Sequence, residues 1–128
     1  MTKLFIDADV MLDFLLDRAP FNNDVAKIIE HSLNHSLTLC VSSVTILNIN
    51  YIIRRLENKR KADEKTQKLL KLVKVENVGS TAIYKSFDSK FKDFEDGVQN
   101  YCAEETKHTV LVTRNTKDYK ESSLAIMT

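Results

Sequence analysis

Short apolar runs alternate along this chain with stretches whose apolar residues recur every three or four positions. Lys3-Leu4-Phe5-Ile6 ends at Asp7 and reads as a buried strand. Val10, Met11, Phe14 and Leu15 then share one helical face, with Asp9, Asp13 and Asp17 on the other, until Arg18 to Asn23 breaks the helix at Pro20. The spacing predicts a second helix from Asp24 to His35, with Val25, Ile28, Ile29 and Leu33 inward, and a strand over Leu37 to Val41. Ser42-Ser43 caps a third helix from Thr45 to Leu56, whose Ile46, Ile49, Ile53 and Leu56 mark an apolar face. The basic stretch Asn58 to Lys68 leads into a fourth helix carrying Leu69, Leu70, Leu72 and Val73. Val75 to Val78 reads as a short strand ended by Gly79, and Thr81 to Lys90 as a helix. Asp93 opens a further helix to about Lys107, with Phe94, Val98, Tyr101 and Cys102 inward. Val110 to Thr113 is a last strong strand, and Leu124 to Met127 a final edge strand.

Strands alternating with helices are βαβ units, which require a mainly parallel sheet covered on both faces. The expected fold is therefore a three-layer α/β/α sandwich of the Rossmann-like kind, one domain spanning residues 1–128. In such sheets the functional crevice lies at the carboxyl ends of the strands.

Composition narrows the picture. Hydrophobic residues make up 43% and charged residues 29%, with two glycines and one proline, which excludes collagen-like, low-complexity and wholly disordered chains. Cys40 and Cys102 sit in apolar stretches and read as reduced core thiols. No apolar run approaches ~18 residues, and the start Met-Thr-Lys-Leu-Phe-Ile-Asp lacks the regions of a secretory signal. The expectation is a cytoplasmic protein without membrane contact. The net charge of +1 is unevenly spread: Arg54 to Lys74 holds nine basic residues against three acidic ones, so the remainder carries a net −5.

Acidic and amide side chains gather where a parallel sheet has its crevice. Asp7 and Asp9 follow the first strand, Asn115 and Asp118 follow Val110 to Thr113, and Asp93, Glu95 and Asp96 open a helix at the same edge. Each alone is explained as a helix cap or a charge suited to a helix N-terminus. Together they repel, and a divalent cation that prefers oxygen ligands, Mg²⁺ or Mn²⁺, relieves that repulsion. His31 and His35, one turn apart, lack the glutamate of a zinc-protease motif and read as an exposed face, and His108 reads as a polar turn residue.

These segments resemble the motifs of PIN-domain proteins, the small magnesium-dependent nucleases that include VapC-type toxins. Leu4 to Asp13 is similar to their opening: an apolar strand, Asp7, a small residue, Asp9, then Val10-Met11-Leu12-Asp13. Asp93-Phe94-Glu95-Asp96-Gly97-Val98-Gln99 with Ala103 looks like their third acidic motif, and Thr113-Arg114-Asn115 with Asp118-Tyr119 like their last. One position departs: the family carries a Glu about six residues after the Ser that ends the second strand, and here Asn48 stands there. Glu95 or Asp93 is left to supply the charge; otherwise a cation is held weakly.

The resemblance implies metal-assisted hydrolysis of RNA phosphodiesters, as in the toxin of a toxin–antitoxin pair. Asp7, Asp96 and Asp118, with Glu95, would hold Mg²⁺ or Mn²⁺, and Asn115 and Asn48 would orient water. Lys59, Arg60 and Lys61 in the basic arm would bind the RNA backbone, and Tyr51 or Phe94 would stack on a base. A cognate antitoxin and a homodimer are the implied protein partners. Two rival readings remain open on the sequence. One is a PIN-like RNA- or protein-binding module with a depleted site, favoured by Asn48. The other is a haloacid-dehalogenase-like phosphatase with Asp7 as nucleophile and Asp9 as acid.

Overall fold

A computed structural model describes residues 2–34, 37–120, 122 and 124–127, and for 125–127 the backbone alone. The elements run β1 (Thr2–Ile6), α1 (Ala8–Leu15), α2 (Asn22–Leu33), β2 (Leu37–Ser42), α3 (Ser43–Leu56) and α4 (Lys59–Leu72). They continue as β3 (Lys74–Glu76), α5 (Ser80–Phe87), α6 (Phe94–Glu105), β4 (Val110–Val112), a 3-10 turn (Thr116–Tyr119) and β5 (Ala125–Met127). The strands form one sheet in the order β3-β2-β1-β4-β5, and every neighbouring pair is parallel. The expected α/β/α sandwich is thus the fold observed, with β5 at an edge.

Alternation along β1 splits the interior in two. Leu4 and Ile6 face a core built with Val10, Met11, Ile29, Ile49, Ile53 and Leu69, so α1 to α4 cover one side of the sheet. Phe5 faces the other side, where Cys40, Cys102, Ala103, Leu111 and Tyr119 meet under α6. Because both faces of the central strands are covered, their sequences read as unbroken apolar runs. Both cysteines are buried there as free thiols.

Several elements differ from the sequence reading. The basic stretch does not lead into the fourth helix; it is that helix. Asn58 caps α4 by accepting from the Lys61 amide at 2.9 Å, and Lys59 pairs with Asp63 one turn on at 2.7 Å. Only Ala62 and Leu69 of α4 are fully buried, too few to give a helical period. Periodicity puts Leu33 and Leu56 inward, but both are exposed at the ends of their helices. Phe94 is likewise 43% exposed and stacks on Phe87 with ring centroids 4.4 Å apart. His108 sits in the turn between α6 and β4, as read, but it is buried there, 3.1 Å from the Glu76 carboxylate and edge-on to Phe5. His31 is exposed as expected, and His35 lies outside the described residues. No helix among the described residues is long and apolar enough to cross a membrane.

Candidate active site

The order β2-β1-β4 places the ends of three strands side by side, and the loops after them build the site. Asp7, immediately after β1, caps α1: its Oδ1 accepts from the Ala8 amide at 2.8 Å. Its Oδ2 accepts from the Thr113 hydroxyl at 2.8 Å, just past β4. The Thr113 Oγ1 in turn accepts from the Asn115 amide at 3.0 Å, and the Asn115 side chain donates to Asp9 at 3.2 Å. Asp7, Asp9 and Asn115 are therefore held by one run of hydrogen bonds.

The third wall is the start of α6. Asp93 caps it by accepting from the Asp96 amide at 3.0 Å, which leaves the Asp96 carboxylate free of the capping duty. Gly97 is required here, since a Cβ at that position would overlap the Ser86 hydroxyl of α5. Ser86 itself donates to the Phe94 carbonyl at 2.9 Å, locking the first turn of α6 against α5. At the end of β2, Ser42 caps α3 and Thr45 accepts from Gln99, which ties α3 to α6. That join brings Asn48 to Glu95, and its Nδ2 donates to Glu95 Oε1 at 2.9 Å.

The result is an open cleft of about 460 Å³ lined by Asp7, Asp9, Asn48, Glu95, Asp96, Asn115 and Asp118, with Tyr51 and Asp93 at its rim. All six acidic and amide residues singled out for catalysis or metal binding line this one cleft. Lys59, Arg60 and Lys61 do not; they lie on the first turn of α4.

Charge repulsion is visible in the cleft. Burial pushes the Asp96 carboxyl up, the charges of Asp93, Asp7 and Asp118 push it further, and it reaches about 7 despite a 3.3 Å hydrogen bond from the Tyr119 hydroxyl. Burial also raises Asp7; the bonds from Thr113 and Ala8 pull it back, and Asp9 opposes them. A dication would neutralise this cluster, and its oxygen-only donors suit Mg²⁺ or Mn²⁺. Among the described residues no three Asp, Glu, His or Cys side chains are drawn together tightly enough to hold an ion by themselves. A spaced rim of carboxylates fits an ion that keeps several waters and takes one or two protein ligands, as Mg²⁺ does.

Two features of the site escape the sequence reading. Thr113 stands there at a strand end and in the last motif with no role of its own, yet its hydroxyl links Asp7 to Asn115. Asp13 falls on the polar stripe of α1, but it is fully buried. Arg114 grips it with two bonds of 2.7 and 3.2 Å, Arg18 stands 3.0 Å from it, and Arg114 also lies over the Phe21 ring. Arg114 sits between Thr113 and Asn115, so this ion pair anchors the turn that carries the site.

The family model for the PIN domain matches residues 3–117. Among solved structures the chain is similar to VapBC2 from Rickettsia felis bound to a promoter DNA fragment: 12% identity over 98% of this chain and 97% of that one, TM-score 0.73. It is also similar to FitAB bound to a DNA fragment, at 20% identity over 96% and 92% of the two chains, TM-score 0.72. VapC20 of Mycobacterium tuberculosis, a toxin that cleaves the sarcin–ricin loop, matches at 11% identity over 84% and 86%, TM-score 0.66. Comparison with curated proteins gives no match.

Proposed function

Because the chain belongs to the PIN-domain family, we propose that it is a Mg²⁺- or Mn²⁺-dependent ribonuclease and the toxin of a toxin–antitoxin pair. One observation carries the reading: acids from the β1 end, the α6 start and the turn after β4 line one cleft, where burial and then their mutual charge lift Asp96 to about 7. Of Asp7, Asp96, Asp118 and Glu95, one or two would bind the cation directly and the others through its waters, and when bound it supplies Lewis acidity and positive charge at the phosphate. Thr113 keeps Asp7 oriented and favours its ionised form. The amides of Asn115 and Asn48 orient water, and Tyr51, 59% exposed at the rim, offers a face for a base to stack on. The likeness to VapBC2, FitAB and a sarcin–ricin-loop-cleaving toxin supports an antitoxin partner and an RNA substrate. A homodimer in the cytoplasm completes the proposal.

The test is cleavage of single-stranded and loop-containing RNA by the purified chain. Cutting with Mn²⁺, lost in EDTA and lost in Asp7→Asn, is the expected result. RNA that is bound but never cut, whatever the metal, supports instead a non-cleaving binding module. Asn48 in place of the family's Glu is the observation that favours this second reading. The phosphatase reading has no comparable support, since the family model that matches residues 3–117 is that of the PIN domain.

A further inference from the structure

We propose that the pocket beside the acidic cleft, ringed by Lys90, Lys92, Lys117 and Lys120, seats the backbone phosphates of single-stranded RNA next to the one being cut. The proposal rests on the nuclease reading above and names its substrate subsite. An acidic cleft repels RNA, so a strand entering it needs cationic contacts within reach of the same site. The two cavities adjoin: Asp93, Asp96 and Asp118 line both. The lysine pocket encloses about 380 Å³.

The chain segments that carry its four lysines are anchored by aromatic packing. Lys90 and Lys92 flank Phe91, which is packed edge-on against Tyr101 and Tyr119 at 5.9 and 6.1 Å. Lys117 and Lys120 flank Asp118-Tyr119, and Tyr119 is fully buried. Packing of Phe91 on Tyr119 therefore fixes the two lysine pairs around one pocket. All four lysines are exposed, and among the described residues no ion pair ties any of them to an acid. The α4 arm differs in position and in pairing. None of Lys59, Arg60 and Lys61 lines the cleft, Lys59 is paired with Asp63, and Glu57 is engaged with Lys61 and Lys65.

The experiment compares two triple variants that remove equal charge, Lys90→Gln/Lys92→Gln/Lys117→Gln and Lys59→Gln/Arg60→Gln/Lys61→Gln. Each is titrated in EDTA against a short fluorescein-labelled single-stranded RNA at several salt concentrations, and cleavage is measured separately with Mn²⁺. Every phosphate that the protein no longer neutralises should lower the slope of log affinity against log salt by about 0.7, so the slope should fall by about two in the pocket triple and by less than one in the α4 triple. The KM for cleavage by the pocket triple should rise in step. The single variants Lys92→Gln and Lys117→Gln should each lower the slope by about 0.7, which repeats the measurement with a smaller perturbation of the surface. Equal falls in the two triples, or an unchanged slope in the pocket triple, overturn the proposal. If the wild type cuts RNA while the pocket triple binds unchanged, only the subsite falls. If the slope drops as expected but nothing is cut, the nuclease reading falls and the subsite stands. If the wild type neither binds nor cuts, both fall.

Discussion

Asp96→Asn should stabilise the cation-free protein at neutral pH and destabilise it relative to wild type once Mn²⁺ is present. The substitution is nearly isosteric. It keeps an oxygen to accept from the Tyr119 hydroxyl and leaves the Asp93 cap untouched. What it removes is a carboxyl whose pKa rises from 3.8 to about 7 on folding. Below the lower value both the folded and unfolded chains carry the proton, and nothing is lost. Between the two values the unfolded chain has ionised while the folded one has not, so stability falls as pH rises, and the penalty is complete above the upper value. At ~1.4 kcal/mol per pKa unit the ceiling is about 4 kcal/mol, and screening of a half-buried group brings it to on the order of 2 kcal/mol. For a chain of this size that is a gain in Tm of roughly 6–10 °C near pH 8, shrinking toward nothing near pH 4. Saturating Mn²⁺ at about a hundred times its Kd adds ~2.7 kcal/mol to the wild type, which the variant cannot match, and the order reverses. Thermal melts at both pH values, with EDTA and with Mn²⁺, read all of this. A variant less stable than wild type in EDTA at neutral pH would mean that Asp96 serves the N-terminus of α6, where a first-turn carboxylate contributes ~0.3–1 kcal/mol. A gain that does not vary with pH would equally refute the reasoning.

Two further outcomes follow from the hydrogen bonds that hold the site. Thr113→Val should cost about 1–3 kcal/mol at pH 8 and far less at low pH, because the missing bond favours the ionised form of Asp7, whose carboxyl burial already raises; urea unfolding at the two pH values checks it, and an equal cost at both speaks against it. Arg114→Gln should cost about 2–4 kcal/mol in thermal melts by leaving buried Asp13 with Arg18 alone, and Arg114→Lys should recover only part, since an ammonium cannot make the two-pronged contact.

Most of the fold was legible because its signals are local. Strands covered on both faces read as continuous apolar runs, and most helices show one apolar stripe. The failures have local causes too. The first turns of α4 carry almost no buried side chain, so periodicity is silent there, although the Asn58 cap and the Lys59–Asp63 pair were both present to be read. Asp13 failed for the opposite reason. On its own helix it belongs to a polar stripe, and Arg114, 101 residues later, together with Arg18, turns that position into part of the interior. No helical period contains that information.

The candidate acids were legible for a topological reason: a parallel sheet brings the ends of its strands to one edge, whichever residues stand there. Their electrostatic partners were not. Summing charge over a window singled out α4 and hid Lys90, Lys92, Lys117 and Lys120 inside a net acidic remainder, although each pair directly flanks an acidic motif. Asn48 shows the same limit from the other side. As a letter in the sequence it is a missing carboxylate. In the structure its amide donates to Glu95, 47 residues away, so a carboxylate stands beside that position but is delivered by α6 rather than α3. An amide at position 48 steadies that charge. A carboxylate there would face Glu95 directly and add to the negative potential that, on top of burial, lifts Asp96 to about 7. Asn48 and Glu95 are therefore one feature of this site, and neither is intelligible alone.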